Sequence, residues 1–310
     1  MNAGELRCVN LGKIYEGNNE ALSSVNLNIP TKGIFSIIGR NGAGKTTLIR
    51  ILATLLEPSS GSATINGLDI MEDADELRKK MAVVPQEGRP IPWLTPLQTV
   101  SSYLMWRGDS YRVSRRKADE ALAMVELQEV SNRLNYKLSG GMRRKTLLAM
   151  VLASDAEIIF LDEPTTGLDP ISRQVIWDLL IDIGKERFLF LTTHYLEEAE
   201  AVADSIGIFD EGSLLALGNM DDLRAGMRYQ YSVKVSSDID TSMIEGIVLK
   251  SHDEQSQILT TREEAMSLSN MLISQGVQFS MNPVTLDDIF YNIAGRDIDN
   301  DYEEYGGGRM

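Results

Sequence analysis

Cysteine is nearly absent from this sequence. Cys8 is the single one among 310 residues, so no intrachain disulfide can form, and a reducing, cytosolic compartment is expected. Histidine is almost as scarce, with only His194 and His252. Two histidines and one cysteine cannot build a zinc site of the usual kind. No apolar run approaches the ~18 residues of a membrane span. Apolar stretches such as residues 158–161 and 188–191 are strand-sized. The first residues lack the basic start and apolar core of a secretory leader. If the protein works at a membrane, another chain is expected to bring it there. Basic residues are outnumbered, 30 against 45 acidic, for a net charge of −15. The acid excess runs through both parts of the chain. It argues against broad binding to nucleic acid or to anionic membranes.

What is present suits a globular α/β protein. The length allows one large domain and a smaller one. Residues 6–11 alternate weakly as a first strand, and Tyr15 follows in a polar turn with Gly17-Asn18-Asn19. Residues 21–29 end with Val25, Leu27 and Ile29 on one face. Residues 33–38, 82–84, 157–163 and 188–192 read as buried strands, and helical patterns lie between them. Continuous apolar strands alternating with helices argue for a largely parallel sheet. Residues 206–210 and 213–217 bracket Glu211-Gly212 as a hairpin.

From about residue 87 to 155 the pattern turns helical. Trp93, Tyr103, Trp106 and Tyr111 cluster there. They are either the core of this insertion or a face for another protein. Composition shifts again near Ala225-Gly226. Residues 226–295 read as a small α/β unit, with strands at 229–235 and 277–281, a helix at 263–274, and a last helix capped by Thr285. Residues 296–310 are acidic and then glycine-rich, the composition of a disordered tail.

The chain is organised around Gly39-Arg40-Asn41-Gly42-Ala43-Gly44-Lys45-Thr46-Thr47. It fits G-x-x-x-x-G-K-[ST] at every fixed position, between a predicted strand and a predicted helix. Such a turn aims several backbone N–H groups and a helix N-terminus at one multiply charged anion. Lys45 is expected to reach the β- and γ-phosphates of a nucleotide, and the Thr46 hydroxyl to ligate magnesium. Five further patterns follow: Gln86 after a strand, Leu138-Ser139-Gly140-Gly141 opening a helix, Asp162-Glu163 ending an apolar strand, Gly167-Leu168-Asp169-Pro170, and His194 just past a strand. Neighbouring strand residues point to opposite faces, so both carboxylates can serve one site only if the chain turns between them.

Taken together, over residues 5–225, these motifs resemble the nucleotide-binding subunit of an ATP-binding cassette (ABC) transporter. The resemblance implies the P-loop ABC ATPase fold, a mostly parallel sheet with antiparallel N-terminal strands and a helical insertion. It implies ATP and magnesium as cofactors. ATP would lie on Tyr15, Gly39, Asn41, Gly42, Ala43, Gly44, Lys45, Thr46 and Thr47. Magnesium would lie on Thr46, Gln86 and Asp162. Glu163 would polarise the attacking water, with Gln86 and His194 beside the γ-phosphate. Ser139, Gly140 and Gly141 would close over ATP held by a second subunit, and Asp169 would contact that subunit. Residues 192–200 and 285–290 resemble the drug-, lipid- and polysaccharide-exporting branch. The resemblance thus implies a homo- or heterodimer bound to a separate transmembrane permease, at the cytoplasmic face of the cell membrane, with no nucleic acid. An importer ATPase and a non-transport ATPase acting on ribosomes or DNA are the alternatives.

Overall fold

The computed structural model describes residues 4–235, 247–250 and 256–294. The chain divides into two compact units that meet at Leu214 and Leu215. The composition shift that suggested a boundary lies eleven residues later.

The first unit opens with β1 (Glu5–Tyr15) and β2 (Asn19–Pro30), an antiparallel pair. β1 runs four residues beyond the weak alternation that marked it, so Tyr15 ends a strand rather than lying in the turn. The pairing shifts register between Cys8 and Leu11, between Leu11 and Lys13, and between Lys13 and Ile14. Each shift swaps which face a residue occupies and erases a period-two pattern. β4 (Ser60–Ile65) and β5 (Leu68–Asp69) complete a sheet of order β2-β1-β4-β5.

β3 (Ile34–Ile38) leads into the glycine turn and α1 (Lys45–Leu52). α2 (Ala74–Lys80) precedes β6 (Met81–Val84). After the insertion come β7 (Ile158–Asp162), α6 (Pro170–Gly184), β8 (Phe188–Thr193), α7 (Leu196–Val202), β9 (Ser205–Asp210) and β10 (Ser213–Gly218). The second sheet has the order β10-β9-β3-β8-β7-β6. From β9 to β6 every adjacent pair is parallel. Every residue of β3, β7 and β8 is buried, because both faces of this sheet carry a core. One face packs on α1 and the antiparallel sheet. The other packs on the insertion and α6. Phe190 packs edge-on against Phe35 and tilted against Phe160 in the first of these cores, with centroids 5.1 and 5.5 Å apart. Truncating a ring so buried costs about 3–5 kcal/mol. Glu211 and Gly212 both have positive φ, as a type I′ hairpin turn requires.

The insertion contains α3 (Pro96–Trp106), α4 (Tyr111–Met124), two short 3-10 turns, and α5 (Gly140–Leu152). α3 begins at a reciprocal cap between Thr95 and Gln98, with Pro96 in the first turn. Its core is aliphatic: Leu97, Val100, Leu104, Ala118, Leu122 and Val125 are buried. Tyr103 packs against this core, but Trp93, Trp106 and Tyr111 are 73%, 83% and 63% exposed. These three aromatics therefore form no core.

The second unit contains α8 (Met220–Ala225), β11 (Tyr231–Val235), β12 (Ile247–Lys250), β13 (Ser256–Thr260), α9 (Arg262–Ser274), β14 (Phe279–Pro283) and α10 (Leu286–Ala294). Its sheet, of order β12-β13-β11-β14, is antiparallel throughout. Val233, Val235, Ile258, Ala265, Leu268 and Leu272 make its core. Thr285 caps α10, exchanging backbone-to-side-chain bonds with Asp288. α8, β12 and β13 lie outside the sequence expectation. Segments of four to six residues carry too little periodicity to read. The tail expected at residues 296–310 lies outside the described residues.

Candidate functional site

The site lies where β3, β6, β7 and β8 end. In an open parallel sheet, ligands bind at the carboxyl ends of the strands. A cleft of about 150 Å³ is lined by Ala21, Asn41, Gly42, Ala43, Gly44, Lys45, Thr46, Thr47, Gln86 and Glu163. It is smaller than a site enclosing a whole nucleotide and suits a phosphate tail.

The turn's glycines are required sterically. Gly44 has φ +100°, and a Cβ there would lie 2.4 Å from the Ala21 carbonyl oxygen. A Cβ on Gly39 would meet the Phe209 carbonyl oxygen at 2.2 Å. Gly42 has φ +80° with open space around it, so its requirement is conformational alone. Lys45 is buried, and its Nζ donates to the carbonyls of Gly39 at 2.6 Å and Arg40 at 2.8 Å. Thr46 Oγ1 donates to Asp162 Oδ1 at 3.1 Å. Tyr15 reaches Thr47, hydroxyl to hydroxyl, at 3.3 Å, and Lys13 Nζ lies 5.5 Å from its ring centroid.

Asp162 and Glu163 meet the steric problem of adjacent strand residues through the backbone. Glu163 has φ +50°, left-handed and rare for a residue with a side chain. The turn brings both carboxylates to one site. Asp162 Oδ1 also accepts from Thr192 Oγ1 at 2.6 Å. Glu163 Oε2 accepts from Gln86 Nε2 at 2.9 Å and from Thr166 Oγ1 at 3.1 Å. His194 Nδ1 lies 3.2 Å from Glu163 Oε1, outside hydrogen-bond geometry. Burial pushes the Glu163 carboxyl up. The neighbouring His194, the Lys45 charge and the Thr166 hydroxyl outweigh burial and hold the carboxyl below the ordinary value. The group is a carboxylate at neutral pH.

Ser139, Gly140 and Gly141 do not line this cleft. Ser139 Oγ accepts from Met142 N at 3.2 Å and caps α5. A Cβ on Gly140 would meet nothing within 4 Å, whereas one on Gly141 would meet Leu168 at 3.2 Å, so α5 opens to space on the Gly140 side of its first turn. Asp169 likewise caps α6, accepting from Ser172 N at 3.0 Å. The sequence motifs thus fall into two groups, one around the cleft and one at two exposed helix starts.

Several residues of the site were not legible as motifs. Thr192 and Thr166 bind the two carboxylates as described. Tyr195 stacks between His194, at 4.1 Å between centroids, and the Arg173 guanidinium, at 4.1 Å from its ring. Glu198 is fully buried on α7, where Thr165 Oγ1 and Trp177 Nε1 donate to its Oε1 at 2.8 and 3.2 Å. Burial raises its carboxyl above the ordinary range. Thr192, Tyr195 and Glu198 lie in the stretch 192–200 that resembled the exporting branch, but that resemblance gave them no part in the site.

Residues 22–166 match the family model described as ABC transporter. A daunorubicin resistance ATP-binding protein, DrrA3, of Streptomyces coeruleorubidus is 32% identical over 91% of this chain and 93% of its own. The chain belongs to the ABC transporter family. It is an ATP-binding, ATP-hydrolysing cassette. A Nod factor export ATP-binding protein I of Cupriavidus pinatubonensis is also 32% identical, over 91% of this chain and 88% of its own. Among solved structures, a dimeric ATP-binding cassette in a post-hydrolysis state, bound to ADP and Pi, is 29% identical. It superposes with a TM-score of 0.63 over 69% of this chain and 98% of that one. The ABC ATPase fold expected from the sequence is the fold observed.

Proposed function

We propose that this chain is the ATPase subunit of an exporter. It works as a homo- or heterodimer on a separate transmembrane permease, at the cytoplasmic face of the cell membrane, and binds no nucleic acid. The full-length relatives named for drug resistance and for export support this direction. The second unit supports it too. Sugar-importer ATPases resemble one another in carrying a C-terminal β-barrel, whereas here the described residues form an antiparallel sheet of order β12-β13-β11-β14 and helices α8, α9 and α10. Among the described residues no helix is long and apolar enough to cross a membrane. Trp93 and Trp106, exposed on the insertion, suit a protein contact there.

In this reading the N–H groups at Gly42–Thr47 and Lys45 hold the β- and γ-phosphates, and Tyr15 stacks on the adenine. Glu163 accepts the proton of the attacking water. Gln86 holds Glu163 through its amide and His194 lies beside the same carboxylate, both facing the γ-phosphate. Magnesium fits Thr46 and Asp162: a hydroxyl and a carboxylate 3.1 Å apart are the hard oxygen donors it takes beside phosphate and water. Bound there, it would neutralise phosphate charge. Among the described residues no cluster of three or more His, Cys, Asp or Glu offers a competing cage.

The observation that carries the dimer is the capped, open first turn of α5, absent from the cleft's lining. Met142 N–H is taken by the Ser139 cap, which leaves the N–H groups of Gly140 and Gly141 for an anion outside this chain. A second copy in a head-to-tail C2 pair would supply it, with two ATP molecules in the interface. Asp169 would lie against that second copy. The test mixes two inactive variants, Lys45→Ala and Ser139→Arg. Mixed dimers keep one intact composite site, so turnover is expected to return on mixing. Mixed dimers that form without turnover would contradict this reading.

A further inference from the structure

Arg144 lies on α5, one and a half turns past Ser139, and only 7% of it is exposed. Burying a guanidinium is costly unless every donor is satisfied. Arg144 satisfies all five N–H groups, and every acceptor is a backbone carbonyl. Nε donates to Pro164 O at 3.1 Å. Nη1 donates to Pro85 O at 2.8 Å and Gln86 O at 3.2 Å. Nη2 donates to Asp162 O and, at 2.8 Å, to Glu163 O. These carbonyls come from the chain leaving β6 and the chain leaving β7. A planar fork of five donors suits this task, and an ammonium with three donors does not.

We propose that Arg144 is a positioning residue for ATP hydrolysis, clamping the backbone that aims Glu163 and Gln86. The proposal rests on the catalytic reading of those two residues given above. Two features show what the clamp resists. Glu163 is held in a left-handed conformation that a side-chain-bearing residue disfavours. Its N–H is fixed by Thr192, through O at 3.0 Å and Oγ1 at 3.2 Å, and its carbonyl by Arg144. The Gln86 loop is held by the same guanidinium, so the 2.9 Å bond between Gln86 and Glu163 joins two segments that Arg144 already ties. Without the clamp, Glu163 can relax toward ordinary β geometry, which turns its carboxylate away. None of the five carbonyls that Arg144 binds belongs to the phosphate loop, so nucleotide binding is expected to survive that change.

The test uses the full chain and compares Arg144→Gln and Arg144→Lys, alone and combined with Glu163→Gln. Arg144→Gln is expected to lower kcat by about 30-fold or more, the scale of a small misplacement of a reacting group. The Kd for a fluorescent ATP analogue should change less than about threefold. Arg144→Lys, which keeps the charge, should recover only part of the loss. On the Glu163→Gln background, Arg144→Gln should change the residual rate by less than about threefold, because both act through one carboxylate. Equal losses in kcat and affinity, a full additional loss on that background, or complete rescue by lysine would each overturn the proposal. Should Arg144→Gln fail to fold, Arg144→Lys carries the same comparison. Failure of both to fold would make Arg144 a stability residue and overturn it as well. Near wild-type turnover in Glu163→Gln alone would instead remove the catalytic reading on which the clamp rests.

Discussion

Thr46 and Asp162, 116 positions apart in sequence, meet through a 3.1 Å hydrogen bond from Oγ1 to Oδ1. The bond joins the start of α1 to the end of β7, and these two oxygens are, with Gln86, the proposed magnesium ligands. Asp162→Asn keeps the shape and removes the charge. It is expected to raise the magnesium concentration for half-maximal turnover by about tenfold or more, the scale of a lost ligand or its support. Binding of magnesium-free ATP should be unchanged. A magnesium titration of turnover that matches wild type would remove Asp162 from the metal site.

Lys45 and Glu163 should separate binding from chemistry. Lys45→Ala removes the buried cation of the phosphate loop and should weaken ATP binding. Glu163→Gln should bind ATP normally and turn over about 100-fold more slowly, the usual contribution of a general base. Its carboxyl sits below the ordinary value, so wild-type turnover should show no loss from protonation of Glu163 near neutral pH. Equilibrium binding and steady-state rates on the two variants check both halves.

The core of this fold and the contents of its cleft were legible because they rest on patterns with fixed spacing. The phosphate turn, the Asp162-Glu163 pair and His194 each follow an apolar strand, and strands buried on both faces leave continuous apolar runs. What stayed hidden depends on contacts distant in sequence. The register shifts of β1 disguised Tyr15 as a turn residue. Nothing in Arg144 itself distinguishes it from Arg143, its neighbour, which is not buried. Its role follows only from the five carbonyls that converge on it. The left-handed backbone of Glu163 was required by the argument that both carboxylates share a site, but no residue type announced it.

Glu198 should make stability fall as pH rises. Its carboxyl is raised by burial, so the native state holds the proton more tightly than the unfolded state does. That contribution is complete below the unfolded value and is lost as pH rises through the raised folded value. Glu198→Gln keeps the acceptor for Thr165 and Trp177 and removes the titration. Melting curves from pH 5 to 8 should show wild type losing stability relative to Glu198→Gln as pH rises. A constant difference across that range would contradict this account.

The second unit should be dispensable for nucleotide binding. The residues that line the cleft all belong to the first unit, and we propose that the second modulates dimer stability or docking to the permease. A truncation should spare β10, which ends at Gly218 and belongs to the six-stranded sheet. A folded chain ending near Gly226 is expected to bind ATP within about threefold of wild type, a change below 1 kcal/mol. Loss of binding in that soluble, folded fragment would assign the second unit a direct part in the site.

The composite site is tested most directly by sedimentation of Glu163→Gln, which should hold ATP without consuming it. With ATP and magnesium the variant should sediment as a dimer, and with ADP as a monomer, because the γ-phosphate is what α5 of the second copy would contact. A protein that stays monomeric with ATP at high concentration, while the wild type hydrolyses at a rate per chain independent of concentration, would contradict the account.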